Sequence, residues 1–285
     1  MSDTVTVRVQ RVRKNRIMVR LAFFLVLVVL LLIVTAFANQ LAPYDPYVQD
    51  LDRSMLPPSA AHLMGTDRYG RDMFSRVLVG AQTSIASTLV LVLVISVVGT
   101  VVGTLCGYYG GVVDNVVMRI SDICLAFPGL VFAMAVAALL GGGVSNAVIA
   151  LAVISWPKYS RVARSQTLAR KNGPFIAAAR LSGDTSMQII LRHIVPNILG
   201  PIMVTAMLDI GTMMMELAGL SFLGLGAQPP TAEWGNMMSS GRSMLQTYPW
   251  IVLSPGVAIF ITVVIFNLLG DTVRDYMDPK NSRSA

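Results

Sequence analysis

The sequence predicts an all-α membrane protein with six transmembrane helices, and three observations carry that prediction. Of its 285 residues 54% are hydrophobic and only 13% charged, about half the ~25% charge of a soluble domain, and the mean hydropathy is +0.66. Several apolar runs reach the ~20 residues a helix needs to cross a bilayer. The basic residues gather on alternate sides of those runs, as positive-inside bias requires. Length alone would allow one or two soluble domains; the composition excludes that class.

A basic segment, 1–20, holds Arg8, Arg11, Arg13, Lys14, Arg16 and Arg20 and leads into the first span, "LAFFLVLVVLLLIVTAFAN" (21–39). The "AFA" before Asn39 resembles a signal-peptide cleavage site. The apolar run is longer than the core of such a signal, so an uncleaved first span is expected. A polar outer loop, 40–82, precedes the second span at 83–107. The third is expected at 121–140, "SDICLAFPGLVFAMAVAALL". The fourth, "VSNAVIALAVISW" (144–156), is short and needs other helices around it. The fifth and sixth are placed at 198–222 and 250–270, ahead of a tail, 271–285.

Seventeen of the 22 Lys and Arg residues fall on one side of this arrangement: the N-terminal six, Arg119, seven in the 157–197 loop, and Arg274, Lys280 and Arg283. The other side holds Arg53, Arg68, Arg71, Arg76 and Arg242. Both termini and the 157–197 loop are therefore expected in the cytoplasm. The net charge of +7 reads as a topology signal. A nucleic-acid partner is not expected, because the basic residues flank spans and no recognition module accompanies them. Cys106 and Cys124 read as small buried apolar residues, with no disulfide expected.

Enzyme chemistry finds little footing. None of the four lysines (Lys14, Lys158, Lys171, Lys280) precedes Ser or Thr, so no phosphate-binding G-x-x-x-x-G-K-[ST] loop exists. His62 and His193, the only histidines, fall on opposite sides of the membrane, which excludes a histidine-rich metal site within one subunit. No Gly-x-Ser-x-Gly elbow or zinc-protease pattern is present. A self-sufficient secondary transporter or channel is the rival class, yet no internal repeat supports it.

One polar stretch is too well patterned for a slack linker: "FIAAARLSGDTSMQIILRHIVPN" (175–197). Pro174 suits a first helical position. Gly183 supplies a left-handed stop. Asp184 or Thr185 can cap a second helix, which Pro196 limits or kinks. Ala177, Ala178 and Ala179 offer a close-packing surface for a groove on another protein. An amphipathic helix lying on the membrane surface is equally compatible with the pattern.

This stretch resembles the cytoplasmic coupling loop of bacterial ABC importer permeases, patterned Glu-Ala-Ala, three residues, Gly, then a distal Pro. Ala178, Ala179, Gly183 and Pro196 stand where that pattern wants them, and Ala177 replaces the Glu. "GTDRYGRDMFSRVLVGAQTS" (65–84) and "AGLSFLGLGAQPPTAEWG" (218–235) are similar to signatures of the peptide/nickel permease family. Within it, "RLSG" and "LDIGTMMMELAGLSFLGLG" are closer to nickel-type members. The resemblance implies a type I permease core over 83–270 and a coupling site of Ala177, Ala178, Ala179, Gly183, Asp184 and Pro196. It implies a bacterial cytoplasmic membrane, a homologous permease partner, two ATPase subunits that bind ATP and Mg, and an extracytoplasmic binding protein. This chain itself then needs no cofactor. The cargo would be nickel, free or chelated, or di- and oligopeptides.

Three further features have physical readings. Asp67, Arg68, Arg71, Asp72 and Arg76 alternate in sign outside the second span; a structural clamp is expected, against a solvated face worth little. The segment 221–235 is too short and glycine-rich to cross alone, so a re-entrant outer segment is expected, turned by Pro229, Pro230 and Trp234. Trp234 and Trp250 also suit interfacial anchors. Asp209 and Glu216, seven apart with Met213 between them, share one face of the fifth span. Intramembrane acids of this kind line a path attractive to cations or peptide ammonium groups, or bond a partner subunit.

Overall fold

The computed structural model describes residues 2–277. Lys280 and Arg283 of the basic tail lie outside the described residues, as do the side chains of Arg8, Arg11, Arg13 and Lys14. Among the described residues the protein is helical without a strand, apart from one isolated bridge between Thr66 and Asp72.

The elements are α1 (Ser2–Ala36), α2 (Ala38–Leu41), α3 (Met73–Tyr109), α4 (Gly111–Ala126), α5 (Gly129–Leu139), α6 (Val144–Arg170), α7 (Pro174–Leu181), α8 (Ser186–Gln188), α9 (Val195–Phe222), α10 (Trp234–Gly241) and α11 (Trp250–Met277). Four stretches are long and apolar enough to cross a membrane: Arg16–Ala36, Met73–Tyr109, Ser186–Phe222 and Trp250–Met277. The pair α4 and α5 makes a fifth only as a broken span, bent by 95°. That corrects the continuous third span expected at 121–140. Pro128 lacks an N–H and disfavours helical backbone at the residue before it, and Phe127 is accordingly extended, with φ −88° and ψ 146°.

Two other boundaries move. The second helix starts ten residues early because the Asp72 carboxylate caps it, accepting from the Ser75 N–H at 2.8 Å. The short fourth span does not stop at Trp156. It continues as α6 through Pro157 to Arg170, so the first third of the 157–197 loop is helix. The polar half of α6 holds because acids on its neighbours meet its charges: Arg161 pairs with Asp122, and Arg164 holds Asp114 by two parallel bonds of 2.6 Å. Such bidentate charge-assisted pairs are among the stronger hydrogen bonds.

The tightest seam joins α3 to α6. Gly99, Gly103 and Gly107 recur every fourth residue, so they line one face of α3. A Cβ at Gly99 would lie 2.5 Å from the Trp156 carbonyl, one at Gly103 would overlap the Ser160 carbonyl, and one at Gly107 would lie 2.9 Å from the Arg164 carbonyl. Backbone meets backbone there, as small residues at every fourth position permit in membranes. One core cluster gathers Leu151, Tyr159, Ile176, Ile194, Ile198 and Leu220 from α6, α7, α9 and the turn before it. A second, at the other end, holds Met73, Ile85, Trp234 and Ile251. Trp234 is therefore a core residue rather than an interfacial anchor: its indole Nε1–H donates to the Val77 carbonyl at 2.9 Å.

The expected clamp exists, and it is buried. Asp67 accepts from the Arg71 N–H at 3.0 Å and from Arg71 Nε at 2.7 Å, with Arg76 Nε 3.8 Å away. Asp72 meets His62 Nδ1 at 2.9 Å. Arg76 donates to the Pro46 carbonyl at 2.7 Å, and Trp250 Nε1 to the Thr66 carbonyl at 3.2 Å. Arg68 is the exception: it is exposed and stacks over the Tyr69 ring at 4.7 Å.

After Phe222 the chain reverses, and α10 lies back along the end of α9. Glu233 organises this turn. Its carboxylate caps α10, accepting from the N–H groups of Gly235 at 2.9 Å and Asn236 at 2.8 Å, and from Ser84 Oγ of α3 at 3.3 Å. Ser84 Oγ in turn accepts from the Trp234 N–H at 3.1 Å. Sequence reasoning missed Glu233, because glutamate is not a usual N-cap residue; the signal on offer was the weaker preference for an acid at a helix N-terminus.

Candidate functional site

The element at 174–197 folds much as its residues dictate. Pro174 opens α7 at a position where its missing N–H costs nothing. Gly183 adopts φ +91°, and a Cβ there would meet nothing within 4 Å. The need for glycine is thus purely one of backbone conformation. The cap of α8 is Thr185, not Asp184: its hydroxyl and Gln188 form a reciprocal capping box. Asp184 instead accepts from His193 Nε2 at 2.9 Å, closing the corner.

Pro196 neither ends nor isolates the second helix. A π-turn over Ile189–Ile194, in which the Val195 N–H reaches the Ile190 carbonyl, runs α8 into α9. Pro196 is the second residue of α9. Its expected break is absorbed by that wider turn.

The three alanines divide. Ala179 is buried beside Ile176 in the core, whereas Ala177 and Ala178 are exposed. Phe175, Leu181, Met187 and Leu191 are exposed apolar neighbours, Leu181 at 91%. This leaves an apolar surface on a short helix that is fixed from beneath by Ile176, Ala179, Ile189 and Ile190.

Asp209 and Glu216 of α9 differ in environment. Asp209 is only 2% exposed, and its Oδ1 accepts from Lys158 Nζ of α6 in a short contact. Lys158, assigned by sequence to the cytoplasmic loop, is thereby an ion-pair partner within the helical body. Its side chain stays 52% exposed. Asp209 Oδ2 has no partner at hydrogen-bond geometry among the described residues. Met213 is buried between the acids. Glu216 is half-buried and makes no hydrogen bond among the described residues.

Residues 99–283 match the family described as "Binding-protein-dependent transport system inner membrane component", more than half of the chain. The chain belongs to this family. Residues 9–58 match the "N-terminal TM domain of oligopeptide transport permease C". The permease is 46% identical over 272 residues to proteins called "Glutathione transport system permease protein GsiD" in Escherichia coli O6:K15:H31 and in Shigella boydii serotype 4, covering 95% of this chain and 89% of each relative. In fold it is similar to two inward-facing crystal forms of the MetNI methionine ABC transporter. Those matches have TM-scores of 0.57 and 0.58 at 20% and 22% identity, covering 71% and 72% of this chain and 97% and 98% of the matched chains.

The permease is therefore a multi-pass membrane subunit of an ABC importer of the peptide/nickel family, non-catalytic, with ATP hydrolysis on separate chains. Among the described residues no group of three His, Cys, Asp or Glu side chains is placed to hold a metal ion.

Proposed function

We propose that this permease forms half of the translocation path for short peptides delivered by an extracytoplasmic binding protein. The observation that carries the reading is the 46% identity, over 95% of the chain, to permeases named for glutathione transport. Nickel, free or chelated, is the second reading, supported by the nickel-type run around Asp209 and Glu216. The test is uptake by the reconstituted importer of labelled glutathione and trialanine against labelled nickel. Peptide uptake that depends on ATP and binding protein is expected. Nickel accumulation without peptide uptake would overturn the peptide reading.

The partners proposed are a homologous permease in a heterodimer, two ATPase subunits and the binding protein, in a bacterial inner membrane with both termini and α7 on the cytoplasmic side. ATP-driven closure of the ATPases would move the 174–197 element. The exposed face of α7, with Ala177, Ala178 and Leu181, would sit in the ATPase cleft, while Ala179, Gly183, Asp184 and Pro196 set its shape. Gly183→Val should lower substrate-stimulated ATPase activity about tenfold. A β-branched residue resists φ +91°, and left-handed backbone already costs ordinary residues roughly 1–2 kcal/mol. Gly183→Asn, which tolerates that region better, should retain most of the coupling. Equal ATPase activity in the valine and wild-type complexes would count against docking through this corner.

A further inference from the structure

Lys158, at the start of the polar half of α6, and Glu216 of the apolar α9 are charged side chains whose hydrogen-bonding capacity is not used up among the described residues. An ammonium has three donors. Asp209 takes one from Lys158, and half of that side chain remains exposed. Glu216 is half-buried, within electrostatic reach of both Asp209 and Lys158, and unbonded among the described residues. Charges like these are costly against lipid and so face a partner or a water-filled path.

Their spacing is fixed by α9. Asp209, which holds the Lys158 ammonium, and Glu216 lie seven residues apart on one face, about 10 Å along the axis at 1.5 Å per residue. A fully extended tripeptide spans about 10 Å at 3.3–3.6 Å per residue.

We infer that Lys158 and Glu216 form a dipolar recognition pair for a short zwitterionic peptide, Lys158 meeting its terminal carboxylate and Glu216 its terminal ammonium. Asp209 is then a positioning residue: buried and fixed, it anchors the Lys158 ammonium at one end of the pair. The pair favours peptides with both termini free and gives a bare cation only one of its two ends. This inference rests on the peptide reading above and names the groups that would discriminate within it.

The test uses the complete reconstituted importer with its binding protein, and trialanine as probe. Glu216→Gln should lower trialanine uptake per ATP hydrolysed about tenfold, with co-purification of the partner permease and binding-protein-stimulated ATPase activity at wild-type levels. Glu216→Asp should restore most of the loss. The double change Lys158→Gln with Asp209→Asn, which avoids stranding a buried acid, should give a similar loss. Unchanged uptake per ATP in Glu216→Gln would overturn the inference. Loss of the partner permease on purification would also overturn it, by assigning Glu216 to the subunit interface. If the wild-type importer takes up nickel and no trialanine, the peptide reading itself fails, an outcome visible before any variant is made.

Discussion

Gly103→Leu should leave no importer complex that survives detergent extraction. The Cβ alone would overlap the Ser160 carbonyl, and that obstacle is helix backbone, which cannot rotate aside as a side chain can. The seam leaves little room for a local tilt, since even a Cβ added at the flanking Gly99 or Gly107 would lie 2.5 or 2.9 Å from the Trp156 or Arg164 carbonyl. Gly103→Ala, which adds only that Cβ, should already cost about 3 kcal/mol or more by overpacking, a fall in melting temperature of roughly 6 °C or more. Gly129→Ala is the matched control, because a Cβ there would meet nothing within 4 Å. Thermal unfolding of the purified complex, followed by size-exclusion chromatography, measures both. Wild-type yield and melting for Gly103→Leu would show that α3 and α6 do not meet along this seam.

Asp67→Ala should be nearly as severe for the outer unit. Arg71 and Arg76 are both buried, and Asp67 is the carboxylate they share. Removing one partner of a buried ion pair costs ~3–5 kcal/mol, because the other charge remains without compensation. Salt should not rescue the variant, since buried charges are screened little. Arg68→Ala is the contrasting change: Arg68 is exposed and bonded to no acid among the described residues, so its loss should stay within about 0.5 kcal/mol. Similar melting temperatures for Asp67→Ala and Arg68→Ala would return the whole group to the status of a solvated face.

Much of the architecture was legible because lipid imposes a simple rule on sequence. Long apolar runs mark α1, α3, α9 and α11. The rule fails where a helix satisfies its polar groups with protein. Lys158, Arg161 and Arg164 end the apolar run of α6 but not the helix, because Asp209, Asp122 and Asp114 meet them from α9 and α4. Those acids are between 39 and 51 residues away in the chain, beyond the reach of any local periodicity. The break at Pro128 and the glycine stripe at 99–107 were visible signals that hydropathy alone overrides.

The candidate site was legible in part. The Gly183 corner and the Pro174 start follow from local backbone chemistry. The π-turn before Pro196 does not, because it is a compromise between helix continuity and a missing N–H. Asp209 and Glu216 stood out as acids among apolar residues. That Asp209 is neutralised from α6, leaving Lys158 and Glu216 as the accessible charges, needed the folded arrangement of two helices.

The glycine seam also bears on how the chain is made. Four apolar stretches can each partition into a bilayer on their own composition. α6 cannot be counted among them, with Lys158, Arg161, Arg164 and Arg170 in its second half. Its place is secured by α3, which exposes bare backbone to receive it, and by the acids waiting on α4 and α9. α3 and α4 leave the ribosome before α6 does, so the groove and two of the three acids are already synthesised when α6 emerges. The last acid arrives with α9. Insertion of α6 is thus expected to be a docking event between nascent helices rather than a partitioning event, and fragments of this chain that lack α3 should leave α6 open to protease in a protection assay.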